Sequence, residues 1–282
     1  MTTPTDGLGL SKSALPLLRD LVHERTGLFY ENQRLDTFAD RLSPLVVQRG
    51  FDSFLDYYYL LKYDDGREPE WRRVMDALSV PETYFWREID QVKAIVKDVV
   101  PALLARGPEP VRIWSVPCAT GEEPLTIAMA LEEAGLFGRG RIEIHASDAS
   151  PVAIDKARIG RYRERAFRSL PPQMRERYFS LNGDGWVVSP ALRQRITSWS
   201  VVNILSEFDT SPYACAPIVF CRNLFIYFST AAITQVVAHF ERAMPAPGYL
   251  CLGASESLMR LRTGFELEEI GGAFVYVKRG DA

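Results

Sequence analysis

The chain has 282 residues, 47% hydrophobic and 24% charged, with a formal net charge of −3. That is about twice the length of a typical domain, and the balance excludes a disordered, fibrous or membrane-spanning chain, so two domains or one large α/β domain with an appendage are expected. The opening MTTPTDGLGLSKS lacks a basic then apolar leader, and no run approaches about 18 apolar residues, so the expectation is a cytoplasmic protein without export or membrane insertion.

The first ninety residues carry almost no strand signal. Leu15, Leu18, Leu21 and Val22 follow the spacing of one helical stripe, and similar stripes recur in QRLDTFADRLSPLVVQRG, FDSFLDYYYLLKY and EPEWRRVMDALS. Asp52 and Ser53 are candidate caps for the third helix, and Gly27 and Gly50 stand where helices should end. We therefore expect a helical domain with its linker over 1–90, the linker being VPETYFWRE, followed by a helix from about Asp90 to Ala105.

From Val111 strand and helix alternate, which predicts a mainly parallel sheet with crossover helices over 91–282. VRIWSV, IEIHASD, IVFCRN and GYLCLGAS read as strands, Ser150 and Pro151 as the start of the helix SPVAIDKARIG, and FELEEI with AFVYVKR as a hairpin turning at Gly271 and Gly272. Turn residues around short β-rich runs predict a small antiparallel insertion at about 178–202. From Lys156 to Arg177 eight basic residues face only Glu164 and Glu176, either a solvated surface or a contact for an acidic partner.

Ligands of such sheets sit beyond the carboxyl ends of the strands. The first loop there, Pro117 to Pro124, has one glycine and two acids, Glu122 and Glu123, which disfavours a dinucleotide or ATP phosphate. It suits a ligand with a positive centre and an amino group, such as S-adenosylmethionine, although both acids also fit as first-turn helix residues. Asp148 ends the second strand, where a carboxylate can accept from ribose hydroxyls; the competing role, a helix cap, is already filled by Ser150. Cys118, Cys215, Cys221 and Cys251 form no CxxC pair and the three histidines no metal spacing, so no metal is expected. Residues 1–90 carry a net −5 and 91–282 a net +2, which disfavours nucleic acid as a partner.

These segments resemble the chemotaxis receptor methyltransferases (CheR). The resemblance is carried by ETYFWRE, IWSVPCATGEEPLTIAMAL, ASDAS with IGRYR, VNIL, FCRNLFIYF and GASES, in family order over nearly the whole chain. It implies a doubly wound, Rossmann-like methyltransferase sheet behind a helical domain. It also implies an S-adenosylmethionine-dependent enzyme, releasing S-adenosylhomocysteine, that methylates glutamate side chains on the cytoplasmic helices of methyl-accepting chemoreceptors. Carried over residue by residue, it assigns cofactor contacts to Thr83, Arg87, Glu123, Asp148, Asn203, Ile204, Arg222 and Asn223, with Glu123 towards the methionine end and Asn203 and Ile204 near the adenine. Arg87 and Tyr227 fall nearest the transferred methyl group. Asx turns remain the alternative for the two asparagines, a surface ion pair for Arg222 and a packed helix start for Tyr227. Three departures stand out: Pro81 where relatives commonly have Asn, a short insertion around Asn182 to Val188 that argues against a C-terminal peptide tether, and a second helix whose basic residues are Arg34, Arg41 and Arg49. A non-catalytic cofactor-binding scaffold and a methyltransferase for another substrate class are the competing functions.

Overall fold

A computed structural model of the chain describes residues 13–80 and 82–280. Four helices come first: α1 (Leu15–Thr26), α2 (Leu35–Gln48), α3 (Phe54–Tyr63) and α4 (Glu68–Leu78). Their apolar stripes meet in a core that includes Leu18, Val22, Phe38, Leu42, Phe54 and Val74, all fully buried. Ser53 caps α3 by accepting from the Asp56 amide. Gly27 ends α1 with φ 78°, and a Cβ there would lie 2.7 Å from the Phe228 ring, so this helix end needs glycine both for its backbone and for close approach to the second domain.

The connecting helix runs as α5 (Ile89–Ala94), a widened turn over 95–99, and α6 (Val100–Leu104). The alternating region then gives β1 (Val111–Ser115), α7 (Glu122–Glu133), β2 (Ile142–Asp148), α8 (Pro151–Ile159), β3 (Arg161–Tyr162), α9 (Pro172–Tyr178), β4 (Phe179–Asn182), β5 (Gly185–Val188), α10 (Pro190–Arg193), β6 (Ile196–Val201) and α11 (Glu207–Thr210). It closes with β7 (Ile218–Phe220), α12 (Thr230–Ala243), β8 (Gly248–Cys251), β9 (Phe265–Ile270) and β10 (Ala273–Lys278).

Seven strands form one sheet in the order β6-β2-β1-β7-β8-β10-β9. The first five run parallel, and β10 lies antiparallel to both β8 and β9. Adjacent residues of β1 point to opposite faces: Ile113 packs with Leu125 and Ile127 of α7, and Trp114 with Val236 and Phe240 of α12. The sheet is thus covered on both faces, as a doubly wound fold requires. The chain leaves β1 outward to β2 and β6, then returns to β7 on the other side of β1, and this reversal opens a crevice at the carboxyl ends of β1 and β7.

The insertion differs from the expected 178–202. Its sheet is β3-β5-β4, reaching back to Arg161, whereas β6 pairs in parallel with β2 and belongs to the main sheet. The run ITSWSV was read with its neighbours in sequence, but its partner lies about fifty residues earlier, a pairing that local alternation does not encode.

Candidate functional site

A cavity of about 420 Å³ opens at the reversal point, between the sheet domain and the helical domain. Its volume falls within the range of ligand sites. All nine expected residues line it: Thr83, Arg87, Glu123, Asp148, Asn203, Ile204, Arg222, Asn223 and Tyr227. They come from the linker, from the loops after β1, β2, β6 and β7, and from the turn before α12.

The two acids of the β1 loop part company. Gly121 turns with φ 98°, packed against Ala157, Tyr162 and Trp199, and sends Glu122 inward to accept from Thr120 Oγ1 at 2.7 Å. Burial pushes the Glu122 carboxyl up to about 6. Glu123 instead lines the cavity, accepting from Ser115 Oγ at 2.7 Å and from Arg222 Nη1 at 3.2 Å. Its pKa is raised by burial in spite of Arg222.

Asp148 is held by two backbone amides, Ala119 N to Oδ2 and Ser150 N to Oδ1, both at 2.9 Å. Ser150 caps α8 with its hydroxyl, so Asp148 is left out of that task. Burial raises its pKa although those amides oppose the shift. A carboxylate has about four acceptor positions, so two remain available.

Arg222 is no surface ion pair: it is buried, donating to Glu123, to Glu88 Oε2 at 3.0 Å and to the Arg87 carbonyl at 2.9 Å, while its Nε has no partner. Asn203 makes the Asx turn weighed from sequence, Oδ1 accepting from Leu205 N, and also donates from Nδ2 to the Arg25 carbonyl of α1. One N–H and one acceptor position of its carboxamide are thus taken up by the protein. Asn223 takes a left-handed backbone with φ 60°.

In the linker, fully buried Phe85 is the anchor, and Thr83, Tyr84 and Arg87 line the cavity. Trp86 and Glu88, on either side of Arg87, both adopt left-handed φ values of 68° and 45°, uncommon for residues with a side chain. Arg87 donates to the Glu82 carbonyl at 2.7 Å and lies 3.6 Å from Glu88. Tyr227 is half-buried in a short turn whose carbonyl accepts from Phe29 N. The expectation about Pro81 lies outside the described residues.

The basic helix face is corrected. Arg34 and Arg41 line the cavity, but Arg49 pairs with buried Glu70 inside the helical domain. Five of the eight basic residues from Lys156 to Arg177 are paired with acids: Arg158 with Asp155 and Arg175 with Glu164 nearby, and Arg161 with Asp184, Arg168 with Glu82 and Arg177 with Glu133 farther off in sequence. Lys156 is the member of the run that lines the cavity. Cys118, Cys221 and Cys251 are buried as expected of small core residues, while Cys215 is exposed. Among the described residues no cluster fits a metal ion.

Sequence reasoning missed three supports. Glu256, within the quoted GASES segment, accepts backbone N–H groups from Asn223 (2.8 Å), Phe225 (2.6 Å), Ile226 (3.3 Å) and Gly253 (2.7 Å), and so fixes the loop that carries Arg222, Asn223 and Tyr227. Glu88 ties Arg222 to Ala254 N. Asp76 enters the cavity wall from α4. An acid among small residues after a strand is the signal that Glu256 offered; the other two join segments far apart in the chain.

The donor set fits S-adenosylmethionine: acids short of positive charge for an ammonium and sulfonium, carboxylate capacity for ribose hydroxyls, and an unpartnered guanidinium N–H for the methionine carboxylate. Residues 81–272 match the family model of the CheR methyltransferase, SAM binding domain, and residues 13–79 that of the CheR methyltransferase, all-alpha domain. The chain is similar to chemotaxis protein methyltransferase 2 of Vibrio cholerae serotype O1, 33% identical over 92% of this chain and 91% of the relative. It is similar to the probable biofilm formation methyltransferase WspC of Pseudomonas putida, 32% identical over 93% of this chain and 61% of that protein. It is also similar to the chemotaxis protein methyltransferase of Escherichia coli K12, 28% identical over 98% and 94%.

Proposed function

The chain belongs to the CheR methyltransferase family, and from that membership we propose that it methylates glutamate carboxylates on the cytoplasmic helices of a chemoreceptor, giving γ-carboxyl methyl esters. It is a methyltransferase that uses S-adenosylmethionine. The observation that carries the substrate and residue assignments is the convergence of nine expected residues on one cavity whose facing carboxylates, Glu123 and Asp148, are buried with less positive charge than they need.

When bound, S-adenosylmethionine supplies an electrophilic methyl group on a sulfonium. Asp148 would hold the ribose, Glu123 the methionine ammonium and Arg222 the methionine carboxylate, and Asn203 and Ile204 would flank the adenine. Thr83 and Asn223 complete the wall. A glutamate carboxylate is ionised at neutral pH, its ordinary pKa being about 4.3, so the protein needs no general base. Its task is alignment, which is worth about 7–11 kcal/mol in favourable cases. Arg87 orients the incoming carboxylate with its planar donor fork, and Tyr227 steers it from the opposite turn. Charge is neutralised as the reaction proceeds, so no oxyanion hole is called for.

Arg34 and Arg41, on the helical wall, face the acidic neighbours of the substrate glutamate. In this reading the enzyme works in the cytoplasm on receptor helices, with neither nucleic acid nor a C-terminal peptide tether; among the described residues no helix is long and apolar enough to cross a membrane. The test is incubation with labelled S-adenosylmethionine and receptor cytoplasmic fragments, followed by base-labile methanol release. Wild-type protein should label glutamates, and Arg87→Lys should lose at least tenfold in turnover while holding S-adenosylhomocysteine within about threefold of wild type. Absence of base-labile label on every fragment would sink the glutamate assignment.

A further inference from the structure

Asp76 belongs to α4 of the helical domain, yet its carboxylate is spent on the sheet domain. Oδ1 accepts from Ser150 Oγ at 2.5 Å and from Val152 N at 3.2 Å, so a residue of one domain caps the first turn of α8 in the other. The chain of hydrogen bonds continues. Ser150 N donates to Asp148 Oδ1, and Asp148 Oδ2 receives Ala119 N from the β1 loop, each at 2.9 Å. Asp76, Ser150, Asp148 and Ala119 all line the cavity. The helical domain grips the opposite wall as well, where the Arg25 carbonyl takes the Asn203 amide at 2.8 Å.

We propose that Asp76 is a positioning residue for the cofactor, lent by the helical domain, and that cofactor binding is thereby coupled to the seating of that domain on the sheet. The inference rests on the reading of the cavity as the S-adenosylmethionine site. Without Asp76 the Ser150 hydroxyl and the Val152 amide lose their shared acceptor, the turn that presents Asp148 loosens, and the ribose acceptor is no longer held in place. Coupling of this kind is reciprocal: a ligand that needs Asp148 held also favours the seated domain, by the same factor. The helical wall that carries Arg34 and Arg41 is then set for substrate by the cofactor itself.

The test is calorimetric binding of S-adenosylhomocysteine to the full chain, with thermal unfolding of the ligand-free proteins alongside. Asp76→Ala should weaken binding about tenfold, the scale of one lost hydrogen bond to a charged group. Asp76→Asn keeps an acceptor oxygen for both donors and should stay within about threefold of wild type. Asp76→Glu, which keeps the charge but displaces the carboxylate by one methylene, should fall between them and serves if the alanine variant does not fold. Wild-type affinity in a folded Asp76→Ala protein, whatever its unfolding temperature, would overturn the proposal by making the contact merely structural. Asparagine as weak as alanine would overturn the positioning role and make Asp76 a direct charged ligand. A wild-type protein that bound no S-adenosylhomocysteine would remove this inference together with the reading of the cavity.

Discussion

Glu70 in the helical domain and the acids around the cavity are both carboxylates taken out of water, and they respond in opposite directions. Burial alone would raise the Glu70 pKa, but hydrogen bonds from Arg49 and Tyr57 and the charge of Arg73 more than reverse that, and it lies below the ordinary range. For Glu123 and Asp148, which line the cavity, burial prevails and the pKa is raised. Inside the helical core the fold supplies every cation its acid needs; around the cavity it supplies too few. A shortfall of positive charge in a cleft marks a place built to receive it from a ligand, whereas a saturated carboxylate marks architecture.

The largest test of that contrast is Glu70→Ala. It leaves the Tyr57 hydroxyl buried without its acceptor and two arginines without their partner. Thermal or urea unfolding should show a loss of about 3 kcal/mol, while S-adenosylhomocysteine affinity stays within about twofold; a matching loss of affinity would erase the distinction. Asp148→Ala should do the reverse. Calorimetry should give binding at least tenfold weaker, since charge-assisted hydrogen bonds are worth roughly 1.5–3 kcal/mol each, and unchanged affinity in the folded variant would refute the ribose assignment.

A smaller effect concerns Glu122. Its folded pKa of about 6 lies above the ordinary glutamate value of 4.5, so its favourable contribution is complete below the lower value and lost as pH rises through the higher. Glu122→Gln should therefore stabilise the ligand-free protein at about pH 7 by about 1 kcal/mol, less than the roughly 2 kcal/mol of the shift because a buried amide has its own burial penalty. It should also flatten the stability profile between about pH 4.5 and 6. Denaturant titrations across that window would show either outcome. The smallest effect is on affinity. Glu123 and Asp148, both raised by burial, begin to protonate at higher pH than ordinary carboxylates, so S-adenosylhomocysteine should bind more weakly as the solution is acidified below neutrality. An affinity that rose on acidification would mean that these acids do not meet the ligand's positive group.

Much of this was legible in the chain because it is local. Ser53 and Ser150 announce helix starts through bonds to residues three positions on, Pro151 by needing no N–H at the first helical position, and Gly271 with Gly272 turns the last hairpin with φ values of 57° and 85°. The loops after strands were legible because strand grammar places them, and it brings Glu123, Asp148, Arg222 and Asn223 to one cavity, whereas Thr83, Arg87, Asn203, Ile204 and Tyr227 were marked only by the family resemblance. What was not legible depends on distant partners. The edge position of β6 is set by β2, and the neutralisation of Arg177 by Glu133 on α7. Asn203 gave only half its role: its Asx turn spans two residues, while its bond to the Arg25 carbonyl spans 178. The acids of the β1 loop were adjacent and looked alike until Gly121 turned one inward and left the other facing the cavity.

Phe85 ties two parts of the molecule that evolution and engineers would treat as separable. Its ring sits 4.8 Å from Tyr162 of β3, 4.9 Å from Phe179 of β4 and 5.1 Å from Phe167, and its amide donates to the Ala166 carbonyl. The small sheet is therefore the socket in which the Arg87 linker is seated. Its tip at Gly183 and Asp184 lies away from those ring contacts and is tied to the rest through Arg161, by its ion pair with Asp184 and its bond to the Asn182 carbonyl. The ring contacts lie at its base: a chain trimmed there to obtain a smaller enzyme would lose the footing of Arg87 before it lost any surface for a partner.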